Sequence, residues 1–233
     1  MPSKFVPVHH RQFNGVSILV CAILAVLITA CGGGGGGNLA PPGFSDLQSE
    51  LNALAFRFGD GDGSVAKPTS PLDMPTTGTS VLFEGAILMA DEIGSTGLMA
   101  DEIGSTGSVG PAYTGDIALT VDFTTGNMIG NAGGFYESSI SDGGDPEGTA
   151  TLIGGTLQFN GPAFTVGSPD ISVDIDAGSE LFIDGQNRAI SGTLEGGFST
   201  DDNPADLIIL TEGAAELSVT GSVGLDARVV AGR

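Results

Sequence analysis

From about residue 79 onward, apolar and polar residues alternate with a period of two, and this alternation limits the fold more than any other feature of the chain. Ile117, Leu119 and Val121 alternate with Thr120 and Asp122, and the same pattern recurs further along. Successive side chains of a β-strand point to opposite faces of a sheet, whereas the faces of a helix repeat about every 3.6 residues. The alternation therefore predicts strands with one buried face and one face in water.

Turn signals rich in Gly, Asn, Asp and Pro separate the alternating segments. The predicted strands are 79–89, 113–124, 127–137, 149–159, 163–175, 180–184, 188–198, 206–211, 214–222 and 225–231. The predicted fold class is all-β, an antiparallel up-and-down β-barrel of about eight strands with a short N-terminal helix; a sandwich is the alternative. A membrane-spanning barrel is disfavoured, because the chain has no Trp and two Tyr, too few for aromatic girdles.

One short helix is predicted before the strands. Ser45 is the expected N-cap, with Gln48 three residues later as in a capping box. Apolar residues then follow at helical spacing: Leu47, Leu51, Leu54 and Phe58. The glycines of 59–63 end the helix, which we expect to lie over one end of the barrel.

The N-terminus is typical of an export signal. Residues 1–15 carry Lys4 and Arg11 and no acid, and Val16–Ala30 is free of charge. As a helix, such a run spans about 22 Å, whereas a bilayer core is about 30 Å thick. A basic start, a short apolar run and small residues at its end indicate a cleaved signal peptide at 1–30. An uncleaved membrane anchor is the alternative.

The end of the apolar run, Leu27–Cys31, resembles the lipobox of bacterial lipoproteins. The resemblance implies a diacylglycerol on Cys31 and cleavage that leaves this cysteine as the first residue. Cys21 fits less well, because bulky Val20 precedes it inside the apolar run. Gly32–Gly37 follow as a flexible tether. Gly rather than Asp directly after the cysteine favours the outer membrane over the inner one.

Charge excludes one class of partner. The chain has 28 acids against 7 Lys and Arg, a net charge of −21. Lys4 and Arg11 precede Cys31 and every acid follows it, so cleavage makes the charge still more negative. Such a surface repels phosphate, and we expect no nucleic-acid binding. The acids are expected to keep an exported protein soluble.

Few residues beyond the signal can carry catalysis. His9 and His10 both fall in the signal peptide, and Lys67 is the one lysine that remains. This removes nucleophile–histidine catalysis and His- or thiolate-ligated metal sites. Paired carboxylates remain conceivable, as in glycoside hydrolysis, but no pair such as Asp174 and Asp176 is singled out. We therefore predict no enzyme, no catalytic residue, no metal site and no cofactor.

An acidic, glycine-rich turn at Asp60–Ser64 has the start of a calcium-binding loop. The EF-hand loop needs Glu at its twelfth position, which here is Pro71. The sequence therefore favours an acidic turn without metal.

A perfect tandem repeat, LMADEIGSTG, occupies Leu88–Gly97 and Leu98–Gly107. An insertion of even length preserves the inward and outward parity of a strand. Loop tips accept insertions well. The repeat is therefore interpreted as a duplication tolerated in a loop, with an acidic contact loop as the alternative.

Three segments are similar to surface lipoproteins of the transferrin-binding-protein-B-like family: Met74–Thr79, Leu119–Gly130 and Ala189–Gly196. The resemblance covers about residues 74–231. It implies a soluble eight-stranded barrel behind a lipidated cysteine, in a family whose members bind host iron proteins, haemoglobin or complement regulators. The segment Ser222–Arg228 lacks the aromatic residue of the family's last strand. The chain also forms one barrel rather than two lobes, so transferrin binding itself is not implied.

The predicted organisation is a signal peptide at 1–30, a Gly/Pro tether at 31–44, a helix and linker at 45–78, and a β-barrel at 79–233. The first functional hypothesis is a monomeric lipoprotein of the outer membrane, lipid-anchored at Cys31, that binds a protein or solute through barrel loops. The second is a structural or shielding envelope lipoprotein without a specific ligand. A carboxylate-based hydrolase is the third.

Overall fold

The computed structural model of the protein describes residues 42–58, 67–78, 80–91, 111–140, 146–200, 203–213, 215–222 and 224–233. Within these residues the chain forms one helix and twelve strands. They are α1 Phe44–Phe58, β1 Val81–Ala90, β2 Pro111–Asp122, β3 Asn127–Ile140, β4 Pro146–Leu152, β5 Gly155–Pro162, β6 Asp170–Asp174, β7 Glu180–Ile183, β8 Gln186–Ser191, β9 Thr193–Ser199, β10 Leu207–Glu212, β11 Ser218–Val219 and β12 Asp226–Gly232. The all-β fold class with one short helix is confirmed.

Several predicted features lie outside the described residues. They are the signal peptide, the lipidation site Cys31, most of the tether, the acidic turn Asp60–Ser64 and the second copy of the repeat. The first copy enters the fold, because its Leu88–Ala90 form the end of β1 and are fully buried. The predicted loop therefore begins only after these three residues.

The sheet is antiparallel and curled. Eleven strands follow one another in the order β11-β8-β7-β5-β3-β2-β1-β12-β10-β9-β6, and β4 pairs with β3. The curl brings β6, at one end of this order, back to β5. The Ser172 N–H donates to the carbonyl of Ala163 and the Asp176 N–H to that of Gln158, both at 2.8 Å. The inner face consequently surrounds one apolar interior.

The interior is closed at one end by four phenylalanines. Phe83, Phe123, Phe164 and Phe198 lie with ring centroids 5.1–6.5 Å apart in tilted and edge-on contacts. Such geometries are preferred because the positive edge of one ring meets the negative face of another. Three of these rings are buried and Phe164 is half-buried. The turn after β2 and the loop after β5 are fixed over this end as a result.

The segment before β1 belongs to the same packed unit. Pro68 forms a bridge with Ser199, and Met74 is buried in the main core. The Thr69 hydroxyl accepts the Ala205 N–H at 3.1 Å and lies 2.9 Å from the Thr200 hydroxyl. These contacts hold residues 67–74 against the ends of β9 and β10.

Inward-facing glycines allow the strands to approach one another closely. Gly85, Gly115, Gly130 and Gly196 occupy inward positions of β1, β2, β3 and β9, and a Cβ at each would collide with a neighbouring strand or ring. Strands bend most sharply where no side chain opposes the bend. Near Gly115 the pairing with β3 also shifts at a bulge, where Gly134 has φ 59°.

The structure divides or shortens several predicted strands. The predicted strand 149–159 is divided into β4 and β5 by a break at Ile153 and Gly154, and the predicted strand 188–198 is divided into β8 and β9 at Gly192, which has a positive φ. Only 170–174 of the predicted 163–175 is a strand, and β11 has two residues. Apolar and polar residues continue to alternate through such breaks, so the period of two in the sequence cannot locate the ends of the strands.

The predicted helix is confirmed, but its predicted cap is wrong. Helix α1 begins at Phe44, and the carbonyl of Gly43 accepts the N–H groups of Asp46 and Leu47. The Asp46 carboxylate in turn accepts the Gly43 N–H at 3.1 Å. Gly43 and Asp46 thus form the capping pair, and Ser45 lies inside the first turn. Glycine carries no capping side chain, so the sequence pattern favoured Ser45.

We expect Gly115→Ala to destabilise the fold by about 1–3 kcal/mol, because a methyl group there would force a rearrangement of packed atoms. Its Cβ would lie 2.6 Å from the Phe135 ring. Gly133→Ala is the control, since a Cβ there meets nothing within 4 Å. Urea unfolding measures both changes, and equal stability of the two variants would contradict the assignment.

Candidate functional site

Asp174 and Asp176, the acidic residues considered for catalysis, lie at the end of β6 and just after it. Asp174 is exposed, and its carboxylate accepts a hydrogen bond from the Thr193 hydroxyl at 2.6 Å. Asp176 follows β6, and its backbone N–H bonds to β5. In the described ranges, no three or more His, Cys, Asp or Glu side chains lie where they could hold a metal ion.

The outer face of the sheet carries the helix. Phe83, Ile87 and Met89 of β1 point into the core, so Ala86 between them points outward. Leu47 and Leu51 of α1 bury themselves against Ala86, with half-buried Tyr136 beside them. The helix therefore lies on the outer face, and the prediction that it covers one end of the barrel is wrong.

An apolar patch continues from this helix across the outer face. The rings of Phe44 and Tyr136 have centroids 5.9 Å apart. Tyr136 lies opposite Leu152 in the pairing of β3 with β4, so both side chains point outward. The Phe182 N–H donates to the carbonyl of Gly154, two residues beyond Leu152, at 2.8 Å.

We call Phe44, Tyr136, Leu152 and Phe182 the apolar patch. Leu152 is 54% exposed and Phe182 is 43% exposed, although both are large apolar side chains. The patch combines residues of the helix and of three strands, β3, β4 and β7. Exposed apolar surface of this kind commonly marks a binding site.

Acidic groups border the patch. Glu180 lies on the same face of β7 as Phe182, and Asp184 occupies the turn that follows β7. The Asn187 amide donates a hydrogen bond to the Glu180 carboxylate at 3.0 Å, which fixes that side chain. Asp46 is exposed in the first turn of α1, near Phe44. The patch is thus apolar at its centre and negative at its border.

Carboxyl groups also meet beneath the helix. Burial, followed by the charges of Glu84 and Asp116, raises the pKa of Glu50 on α1. Burial also raises the pKa of Asp116 on β2, against a smaller opposite effect of its own backbone hydrogen bond. The hydroxyl oxygen of Thr114 is buried on the same face and has no hydrogen-bond partner among the described residues. Ionisation of the acids consequently opposes docking of α1.

A depression lies where β5 and β6 meet. It is open, has a volume of about 730 Å³, and includes Ser168, Asp170, Ser172 and Glu195 in its wall beside Phe164. Its breadth and its largely hydrophilic lining provide little apolar contact for a small ligand. The apolar patch is therefore the stronger candidate.

The sequence contained one indication of the apolar patch. Strict alternation leaves one face polar, yet Leu152 is followed by Ile153, and Phe182 stands between Leu181 and Ile183. In β7 the flanking residues are buried and Phe182 is exposed. An apolar residue at an outward position was thus visible, but its neighbours in other elements were not.

The described residues contain no helix that is both long and apolar enough to cross a bilayer.

No protein-family model matches this chain, and neither the curated proteins nor the solved structures contain a match.

We expect docking of α1 to weaken as pH rises. The raised pKa values of Glu50 and Asp116 mean that the docked state holds protons which the released helix gives up. The resulting penalty is absent below the ordinary carboxyl pKa of about 4 and grows as pH passes through the raised values. Hydrogen exchange of the Leu51 amide, corrected for intrinsic rate, should show less protection at pH 7 than at pH 5.

The variant Glu50→Gln should raise the protection of Leu51 at pH 7 by about two- to fivefold, the size of a modest like-charge repulsion. Glu195→Gln, in a strand away from α1, is the matched control. Protection that is independent of pH in the unmodified protein would contradict the expectation.

Proposed function

We propose that this protein is an exported lipoprotein of the outer membrane that binds a protein partner. Its fold carries a binding surface at the end of a lipid-anchored tether. The observation that carries the proposal is the apolar patch, because it leaves Leu152 and Phe182 exposed on a chain of net charge −21. Aromatic and large apolar side chains grouped on an otherwise charged surface contribute most of the energy at protein interfaces.

We also propose that the sheet forms a closed up-and-down barrel of eight strands. The order of the strands in the sheet supports this proposal. The eight strands concerned are β1, β2, β3, β5, β6, β9, β10 and β12. Apart from β5 and β6, each of these strands pairs with the next in chain order, and β12 pairs with β1. The link between β5 and β6 rests on the two hydrogen bonds described above and on a bridge between Phe159 and Ile175.

The membrane anchor is proposed from the sequence. The lipobox-like Leu27–Cys31 and the glycines Gly32–Gly37 support lipidation followed by a flexible tether. A flexible tether lets a rigid domain turn toward its partner while it stays attached. The resemblance to transferrin-binding-protein-B-like surface lipoproteins supports the same architecture, and it leaves the identity of the partner open.

The alternative is a shielding lipoprotein without a specific ligand. The excess of 28 acids over 7 basic residues favours it, because such a chain repels other anionic surfaces. A shielding protein has no need for a localised apolar patch. The two functions therefore differ in whether one part of the surface makes specific contacts.

We expect Cys31→Ser to abolish incorporation of labelled palmitate and to release the protein from the membrane fraction, because the acyl chains supply the anchoring energy. Cys21→Ser should retain both label and membrane association, since Cys21 lies inside the apolar run. Labelling and fractionation of the producing cells measure these outcomes. Continued lipidation of the Cys31→Ser protein would overturn the proposed anchor.

A photo-crosslinking amino acid at Leu152 should give one discrete adduct in intact producing cells. The same amino acid at Leu82 is the matched control, because Leu82 is 50% exposed on the outer face of β1, away from the patch. Immunoblotting of the adducts measures the result. Absence of an adduct at Leu152, or the same pattern at both positions, would favour shielding over binding.

A further inference from the structure

We propose that the depression where β5 and β6 meet binds a neutral saccharide chain. This site is separate from the apolar patch, because none of its described wall residues belongs to that patch. The inference follows from a fixed aromatic loop on one side of the depression, from hydroxyl and carboxylate groups on the other side, and from the charge of the wall. It goes beyond the protein partner proposed above.

The loop 163–169 forms one side of the depression and is fixed at both ends. The Phe164 N–H donates to the carbonyl of Gly126 at 3.2 Å, which ties the loop to the turn after β2. The carbonyl of Pro169 accepts the Phe198 N–H at 2.8 Å, which ties it to β9. A wall held in this way needs little further ordering when a ligand binds, and this favours affinity.

Phe164 supplies the depression with an aromatic surface. Its ring packs edge-on against Phe123 and Phe198, with centroids 5.9 and 5.1 Å away. The side chain is only half-buried by these contacts, and it belongs to the wall of the depression. The carbon-bound hydrogens of a sugar ring form an apolar face that can cover the negative face of an aromatic ring.

The opposite side carries hydrogen-bonding groups from the outer faces of β6 and β9. Ser172 lies opposite Glu195, and Asp170 is the next outward residue along β6. All three are exposed and belong to the wall. The Ser168 hydroxyl accepts the Asp170 N–H at 3.2 Å and donates to the Asp170 carboxylate at 3.3 Å. The loop thus holds this carboxylate in place.

The charge of the wall limits which ligands fit. Asp170 and Glu195 are acidic, no described wall residue is basic, and the whole chain has a net charge of −21. Phosphate and carboxylate ligands would therefore be repelled. A lipid-like ligand would find too little apolar surface in a largely hydrophilic wall. Ionised carboxylates only accept hydrogen bonds, so the ligand must donate them.

A neutral saccharide meets these requirements. Its hydroxyls donate to the two carboxylates in charge-assisted hydrogen bonds, and they can both donate to and accept from the Ser168 and Ser172 hydroxyls. The volume of about 730 Å³ lies within the roughly 300–1,000 Å³ of small-ligand sites. The open shape of the depression lets a chain of sugars extend beyond it.

A polyamine is the competing class of ligand, because the same carboxylates would attract its positive charges. The two classes differ in their dependence on salt. Attraction between exposed charges is screened as ionic strength rises, whereas a neutral sugar carries no charge to be screened. Salt dependence of binding therefore distinguishes a saccharide from a polyamine.

The test presents the full chain, in a detergent without a sugar headgroup, to an array of neutral and sialylated glycans. Dense display makes weak contacts measurable through multivalency. We expect neutral glycans to bind and sialylated ones to bind at least about tenfold more weakly. Raising the salt from about 0.1 to 1 M should weaken the binding of neutral glycans by less than about twofold. The bound glycan, added in soluble form, should shift the NMR signals of the Ser168, Asp170 and Ser172 amides.

Variants of the chain locate the contact. Ser172→Arg should weaken binding at least about tenfold, because its long side chain would fill the depression and pair with the acids. Asp170→Asn should weaken it about three- to tenfold, since a charged acceptor becomes a neutral one. Asp174→Asn is the matched control, because Asp174 lies on the same face of β6 but is not a wall residue. Unchanged thermal unfolding of each variant excludes misfolding as the cause.

Three results would overturn the proposal. They are no neutral glycan bound above the level of the Ser172→Arg chain, equal binding of sialylated glycans, and NMR shifts confined to the apolar patch. Binding of spermine that falls steeply with salt, without binding of any neutral glycan, would assign the depression to polyamines instead. The crosslink from Leu152 tests the protein partner and the glycan array tests the depression, so either proposal can fail while the other holds.

Discussion

The close backbone approach at inward glycines is the constraint on which the rest of the structure depends. At Gly85, Gly130 and Gly196 a side chain would occupy space that an adjacent strand already fills. Without these contacts the sheet could not curl enough for β6 to return to β5. The same curl brings the four phenylalanines together, and it makes the outer face convex and accessible.

That outer face is divided between the helix and solvent. Ala86 is small enough for Leu47 and Leu51 to pack directly against the strand, which places α1 across β1 and extends its first residue, Phe44, toward Tyr136. The apolar surface continues beyond the helix because no described element covers Leu152 or Phe182. Helix docking and the proposed binding surface therefore share Tyr136, and release of α1 would remove Phe44 from the patch.

Electrostatic repulsion acts against the docking of α1. Acidic residues meet beneath α1, where burial and then the charges of Glu84 and Asp116 raise the pKa of Glu50. Docking of the helix depends on apolar burial being larger than this repulsion.

The sequence by itself determined the all-β class, the existence of α1 and the outline of most strands, because alternation of apolar and polar residues reflects burial of one sheet face. It also contains the lipobox-like segment that ends at Cys31, and it has no histidine beyond His10. Only the tertiary structure decided that Gly43 caps the helix and that residues 149–159 form two strands. Only the tertiary structure likewise brought Phe44, Tyr136, Leu152 and Phe182 onto one surface. These last features depend on register and curvature, which arise from contacts between residues far apart in the chain and leave no periodic trace along it.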